Sequence, residues 1–155
     1  MQISAMTPAF AAELVGWRYP APYQRYDLAG ADPAYFTDPA NGFHALVDDA
    51  GALIGYRSFG PDGRVPGGEY DEAALDTGGG LRPDLTGRGL GRRAIETGLA
   101  YGRATFHPVA FRVTVASSNA RARKVVESLG FTCRSSFDAT TDGSRYDILL
   151  LPCDH

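Results

Sequence analysis

The sequence predicts a single α+β domain over residues 1–155, with its elements in the order β-α-α-βββ-α-β-α-ββ. Two apolar runs around an acidic, glycine-containing turn indicate a β-hairpin in the first half. In the second half, two helical patterns alternate with strand-like runs, and the last two runs are joined across Asp142 and Gly143. A chain of 155 residues is also long enough to bury a core without metal or disulfide support.

The first half combines one strand, a helical region and three further strands. Residues 1–5 form the first strand. Thr7 and Pro8 begin a helix over 9–17, because threonine caps helices and proline fits their first turn. Residues 17–36 are rich in aromatic rings and prolines, which suits either a pocket wall or lid, or a loop held by aromatic packing. The three strands that follow are expected at 43–47, 52–59 and about 72–81.

The second half carries two helices. The first runs from residue 89 to about 105 and has apolar residues at helical spacing. The second runs over 120–129, where Asn119 supplies an N-cap and Gly130 a C-cap. The three strands of this half are expected at 111–115, 131–137 and 146–151.

A glycine-rich loop precedes the first of these helices. Gly87, Gly89 and Gly91 allow positive φ, and the helix that follows adds its positive dipole end, so the loop can bind an anion such as phosphate. Arg92 and Arg93 stand where a nucleoside-triphosphate loop needs lysine followed by serine or threonine. The glycine spacing does not fit a dinucleotide fingerprint either. The loop alone leaves open whether its glycines bind phosphate or only turn the chain.

Charge and cysteine content exclude several classes of protein. Fifteen basic and eighteen acidic residues give a net charge of -3, which argues against a nucleic-acid partner. Ten of the fifteen basic residues lie between residues 82 and 134, which suits a local polyanionic ligand. Cys133 and Cys153 lack metal-ligand spacing, so we expect no metal, and reduced thiols in a cytoplasmic protein. No apolar run has the length of a membrane span, so we expect no membrane partner.

Two segments in this order and spacing resemble the GNAT superfamily of N-acetyltransferases. Residues 75–91 resemble the family's coenzyme-binding strand and pyrophosphate loop. Residues 113–131 resemble the strand and helix that follow, which end in Gly130 and Phe131. The resemblance implies a GNAT-like mixed, mostly antiparallel central sheet of six to seven strands with flanking helices. It also implies acetyl-CoA as the co-substrate.

The resemblance assigns the coenzyme to particular residues. The backbone of the strand end would bind the pantetheine arm, the loop amides and arginines would bind the pyrophosphate, and an asparagine would orient the pantetheine near the thioester. In the same order, these residues are Leu81, Arg82 and Pro83, then Gly87, Arg88, Gly89, Leu90, Gly91 and Arg92, then Asn119. For Asn119 the alternative is simple helix capping, and one asparagine can do both.

The chemistry of transfer is less completely assigned. The attacking amine must lose a proton, and Asp76 on the central strand is the predicted base; the alternative is a surface aspartate. Val126 stands where many family members carry a tyrosine that protonates the departing thiolate, so the acid is open. Tyr23 and Tyr26 of the aromatic segment are the predicted acceptor-binding residues.

The predicted function is therefore transfer of an acetyl group from acetyl-CoA to the primary amine of a small molecule or peptide, by direct attack in a ternary complex. The valine at position 126 keeps a second reading open, a non-catalytic acyl-CoA-binding sensor or pseudoenzyme. A third is an interaction module that uses only the fold. A homodimer is one oligomeric state that the sequence leaves open.

Overall fold

The chain forms one sheet flanked by helices in a computed structural model, which describes residues 1–154. The strands are β1 (Gln2–Ala5), β2 (Phe43–Val47), β3 (Leu53–Phe59), β4 (Leu75–Leu81), β5 (Ala110–Ala116), β6 (Thr132–Asp138) and β7 (Arg145–Pro152). The α-helices are α1 (Pro8–Val15), α2 (Pro33–Thr37), α3 (Leu90–Phe106) and α4 (Ala120–Ser128). This is the predicted order of elements, and the predicted α+β class is confirmed.

The seven strands lie in the order β1-β2-β3-β4-β5-β7-β6. All neighbours pair antiparallel except β4 and β5, which run parallel and pair only at Leu75 with Phe111 and at Asp76 with Arg112. Beyond Asp76, β4 stays paired with β3 as far as Leu81 but has no registered partner in β5. The sheet therefore splits between its two central strands. The expected mostly antiparallel sheet is confirmed.

Helices cover both faces of the sheet. Side chains from α1 and α2 pack against Ala45 of β2. The next residue of β2, Leu46, packs against Ala94 of α3. Since successive side chains of a strand point to opposite faces, α1 and α3 lie on opposite sides. Further along, α3 and α4 together cover β5 and β7, with Leu99 and Val126 beside Phe111. The split between β4 and β5 thus lies next to α3 and α4.

The element boundaries differ from the sequence predictions mainly at turns. β4 begins at Leu75 rather than near residue 72, because Asp71 accepts the Ala73 N–H and holds a turn there. The first helix ends at Val15, before Trp17, which packs in the core beside α1. In the described part of the chain, no helix is long and apolar enough to cross a membrane.

Candidate functional site

A cavity of about 340 Å³ lies where the sheet splits. Its wall takes residues from β3 and β4, from the loop before α3, from both later helices, and from the aromatic segment 17–36. The contributions of the strands include Gly79, Gly80 and Leu81, which follow the point where β4 leaves β5. Because this edge of β4 lacks a registered strand partner, it can accept an extended ligand as an added strand would.

The glycine-rich loop forms one end of this cavity. Gly87 and Gly89 have φ of 73° and 79°, the left-handed region that favours glycine. α3 begins directly after Gly89, and no side chain caps its first turn. The N–H groups of that turn therefore lack a side-chain acceptor, and with the helix dipole they favour an anion. Gly87, Gly89 and Gly91 all line the cavity, so the predicted anion-binding loop faces it.

Two arginines around the loop, Arg82 and Arg92, are engaged within the protein. Arg82 binds the Asp84 carboxylate at 2.7 Å and donates to the Leu53 carbonyl at 3.0 Å. Arg92 lines the cavity, but its Nε forms an ion pair with Glu96 at 2.7 Å, and this pair partly neutralises its charge toward a ligand. Of the predicted coenzyme residues, the wall includes Leu81, Gly87, Gly89, Gly91, Arg92 and Asn119, and it does not include Arg82, Pro83, Arg88 or Leu90.

Three tyrosines of the aromatic segment stand in the cavity wall. Tyr19 donates its hydroxyl hydrogen bond to the Leu81 carbonyl at 2.7 Å, which ties the segment to the end of β4. Tyr23 and Tyr26 stack with ring centroids 6.3 Å apart, and the Arg121 guanidinium lies 4.5 Å from the centroid of the Tyr23 ring. Of the two interpretations of this segment, the structure therefore favours the pocket wall.

Asn119 performs two hydrogen-bonding roles at once. Its Oδ1 accepts the N–H of Ala122 at 3.1 Å and so caps α4. Its Nδ2 donates to the hydroxyl of Tyr26 at 3.1 Å. The capping role expected from the sequence is confirmed, and the second bond holds the aromatic segment against the helix start.

Burial shifts the titration of the polar groups deepest in the wall. Burial raises the pKa of Tyr56 to about 12 and also raises that of Tyr19. Burial lowers the pKa of Arg57 to about 10. Both tyrosines are thus neutral and Arg57 is charged at neutral pH. Among residues 1–154, no aspartate, glutamate or histidine lines the cavity.

A model of the acetyltransferase (GNAT) family matches residues 8–131. The chain belongs to this family. No curated protein matches this GNAT chain significantly in sequence.

Solved structures share the fold of this GNAT chain over nearly its whole length. An acetyltransferase of the GNAT family from Bacillus anthracis has 13% identity and a TM-score of 0.75, covering 97% of this chain and 93% of that one. A chimera of spermidine N-acetyltransferase SpeG from Vibrio cholerae and hSSAT has 15% identity and a TM-score of 0.76, covering 97% and 94%. Aminoglycoside acetyltransferase AAC(6')-Ib in complex with coenzyme A has 16% identity and a TM-score of 0.75, covering 97% and 94%. At such identities the likeness shows the fold.

In this GNAT chain, Asp76 lies in a buried ion-pair cluster. It is 2% exposed, and its carboxylate accepts Arg112 Nε at 2.7 Å, Arg112 Nη2 at 2.8 Å and Arg64 Nε at 2.8 Å. Arg112 also binds Asp71, and its own pKa is raised, chiefly by the hydrogen bonds to Asp76. The cluster joins β4 to β5 where they are still paired, and Asp76 is outside the cavity wall. This placement gives Asp76 a structural role; its role as base stays a prediction.

The residues on α4 also bear on the missing tyrosine. Val126 is 3% exposed and packs in the core with Leu99 and Phe111, while Val125 lines the cavity. This turn of α4 therefore offers no hydroxyl to the cavity. Tyr56 and Arg57 are wall residues that the sequence did not predict, because a tyrosine or arginine in a strand carries no local signal for its tertiary neighbours.

Within residues 1–154, no group of three or more histidine, cysteine, aspartate or glutamate side chains is arranged to hold a metal ion. Cys133 is exposed on β6 and Cys153 is half-buried, and both are free thiols.

Proposed function

We propose that the chain is an acetyl-CoA-dependent N-acetyltransferase that acetylates the primary amine of a small molecule or peptide within a ternary complex. One observation carries the proposal. In a member of the acetyltransferase (GNAT) family, one cavity joins a glycine-rich, uncapped helix start to the edge of β4 that has no registered strand partner. A phosphate-bearing, amide-containing acyl donor matches both features.

Acetyl-CoA would lie along the cavity with its pyrophosphate at the loop. The amides of residues 87–91 and the start of α3 would bind the phosphate oxygens. The pantetheine arm would pair with the free edge of β4 near Gly79 to Leu81. The structure of a fold neighbour with coenzyme A bound supports this choice of ligand.

Transfer requires the neutral amine to attack the thioester carbonyl, after which the C–S bond breaks and the thiolate gains a proton. Because the described wall has neither carboxylate nor imidazole, we propose that water removes the amine proton. Tyr26 is the proposed donor to the thiolate. Its oxygen accepts from Asn119, whereas the Tyr19 hydroxyl already donates to Leu81.

The aromatic segment 17–36, with Tyr23 and Tyr26 in the cavity wall, favours a small or flexible amine as the acceptor. Two fold neighbours are named for spermidine and aminoglycosides, which supports an amine acceptor. The cytoplasm as the location and a homodimer as the assembly are carried forward as predictions from the sequence.

A non-catalytic acyl-CoA-binding sensor is the second candidate. Two observations favour it: the valine at 126, and a cavity wall that includes no carboxylate or imidazole from residues 1–154. Incubation of the protein with acetyl-CoA and a panel of amines, followed by thiol release and mass spectrometry, separates the two. We expect amine-dependent thiol release and an N-acetylated product. Acetyl-CoA binding without amine-dependent release would establish the sensor, and absence of binding would leave only an interaction module.

A further inference from the structure

Arg57 of β3 is a buried cation without an ionic partner in the described chain. It is 5% exposed, and the hydrogen bond it makes to a described side chain runs from Nη2 to Thr77 Oγ1 at 3.3 Å. Its buried Nε has no hydrogen-bond partner. The other buried charged residues are paired, Asp76 with Arg112 and Asp147 with Arg123. Arg57 therefore differs from every other buried charge in residues 1–154.

The fold makes room for the Arg57 guanidinium beside the cavity. A Cβ added to Gly79 of β4 would lie 2.7 Å from Arg57 Nη1, and one added to Gly98 of α3 would lie 2.9 Å from its Nε. The guanidinium thus occupies the space that two glycines leave between strand and helix. Arg57 and Gly79 both line the cavity, so the small exposed part of Arg57 faces it.

Arg57 is too far from the glycine-rich loop to serve the pyrophosphate. Gly98 stands eight residues after Leu90, where α3 begins. At a rise of about 1.5 Å per residue, the contact with Arg57 lies about 12 Å along the helix axis from its first turn. This part of the cavity is where the acyl group and acceptor would meet if the pyrophosphate lies at the loop.

The chemistry of Arg57 defines what it can bind. With a pKa near 10 it keeps its charge at neutral pH, and an unpaired buried charge is unfavourable. A planar guanidinium donates in a fork that matches a carboxylate. Since the described cavity wall has no carboxylate, the matching anion must arrive with a ligand.

We propose that Arg57 binds a carboxylate carried by one of the two reactants. The source is either the acceptor, which is then an α-amino acid or a similar carboxylate-bearing amine, or the acyl donor, which is then a dicarboxylic acyl thioester. This inference rests on the acyl transfer to an amine in the proposed function, and in the donor case a dicarboxylic acyl thioester takes the place of acetyl-CoA. In both cases the amine forms the amide bond as the C–S bond breaks, its proton passes to solvent, the thiolate gains a proton, and the carboxylate is unchanged. A polyamine would instead bring like charge to Arg57.

Paired substrates test the inference. The acceptor arm compares L-ornithine with putrescine and L-phenylalanine with phenethylamine, using acetyl-CoA. The donor arm compares succinyl-CoA with acetyl-CoA, using phenethylamine. Each pair is measured as kcat/KM for wild type, Arg57→Met, Arg57→Lys and the control Arg134→Met, whose arginine is exposed on β6. Arg57→Met should fold, because an apolar side chain replaces an unpaired buried charge. Comparison between variants cancels the difference in amine basicity.

The preference is the kcat/KM for the carboxylate-bearing member of a pair divided by that for the other member. In one arm, we expect this preference to be about 10- to 100-fold larger in wild type and Arg134→Met than in Arg57→Met, because hydrogen bonds to charged groups have that strength. Arg57→Lys should retain part of the preference. Preference in the acceptor arm identifies an amino acid, and preference in the donor arm identifies a dicarboxylic acyl group. If wild type turned over both members of every pair at equal kcat/KM, or if the preference were unchanged in Arg57→Met, the inference would be overturned and the proposed function would stay intact.

Failure of the proposed function has a separate signature. If no pair is turned over, the proposed function fails, and the inference is then decided by thermal unfolding with each compound. A rise in Tm that is larger for the carboxylate member and absent in Arg57→Met supports the inference. Equal rises for both members, or no rise for any compound, overturn it.

Discussion

Replacing Asp76 by asparagine removes the charge that holds β4 and β5 together below the cavity. Its carboxylate is 2% exposed and accepts two hydrogen bonds from Arg112 and one from Arg64, all between 2.7 and 2.8 Å. The Arg112 side chain is 6% exposed, so the substitution leaves a buried guanidinium poorly paired. Breaking a buried pair in this way costs about 3–5 kcal/mol. That is a large share of the roughly 5–15 kcal/mol by which a domain is stable.

Urea denaturation of Asp76→Asn measures this loss as a lower midpoint at an unchanged slope. The double variant Asp76→Leu with Arg112→Met is the matched control, because it removes both charges and should recover much of the loss. Arg64→Met should cost less, since the Arg64 side chain is 26% exposed. A fall of less than about 1 kcal/mol for Asp76→Asn would refute the structural role. If the folded Asp76→Asn variant lacked an apparent pKa that wild type shows in the pH dependence of its rate, that result would instead support Asp76 as the base.

Four further predictions concern packing, pH, the cap and the acid. Gly102→Ala should destabilise the protein by about 1–2 kcal/mol in urea denaturation, because the added Cβ would lie 2.8 Å from the Phe111 ring. The higher helix propensity of alanine does not offset such overpacking, and an unchanged midpoint would contradict this prediction. Burial lowers the pKa of His44 below 6.5, so the unfolded chain binds its proton first and stability should fall as pH drops below about 6.5. His44→Gln should reduce that fall, and an identical pH dependence of stability would count against the shift. Asn119→Ala should cost about 1 kcal/mol as a lost cap and also raise the KM for acetyl-CoA, whereas a loss of stability alone would limit Asn119 to capping. Tyr26→Phe should lower kcat roughly 10²-fold with little change in the KM for acetyl-CoA, and full activity would exclude Tyr26 as the acid.

Much of the fold could be predicted because its signals are local. Thr7 and Asn119 do cap the helices that follow them, as their residue types indicate. The glycines before α3 adopt the positive φ that made the loop an anion-site candidate. The split between β4 and β5 has no local signal, because it depends on where a strand loses its partner.

The site was less predictable because its contacts join distant parts of the chain. The position of Asp76 on the central strand predicts a base, and nothing local in the sequence predicts its ion pairs, because its partners Arg64 and Arg112 lie 12 and 36 residues away. Tyr19 reaches Leu81 from a proline-rich segment whose conformation has no periodicity. Arg57 occupies a strand whose pattern indicates only burial. Long-range pairing of this kind is set by tertiary packing and cannot be read from spacing.

Calorimetric titration of acetyl-CoA tests most directly whether the loop before α3 holds the coenzyme. Gly91→Glu places a carboxylate in the cavity wall, at a position where an added Cβ meets nothing within 4 Å and where a helix start tolerates negative charge. Ala100→Glu adds the same charge at an exposed position further along α3. We expect wild type and Ala100→Glu to bind acetyl-CoA alike and Gly91→Glu to bind at least about tenfold more weakly, through repulsion of the pyrophosphate. Equal affinity of all three proteins, or no binding by wild type, would contradict the account.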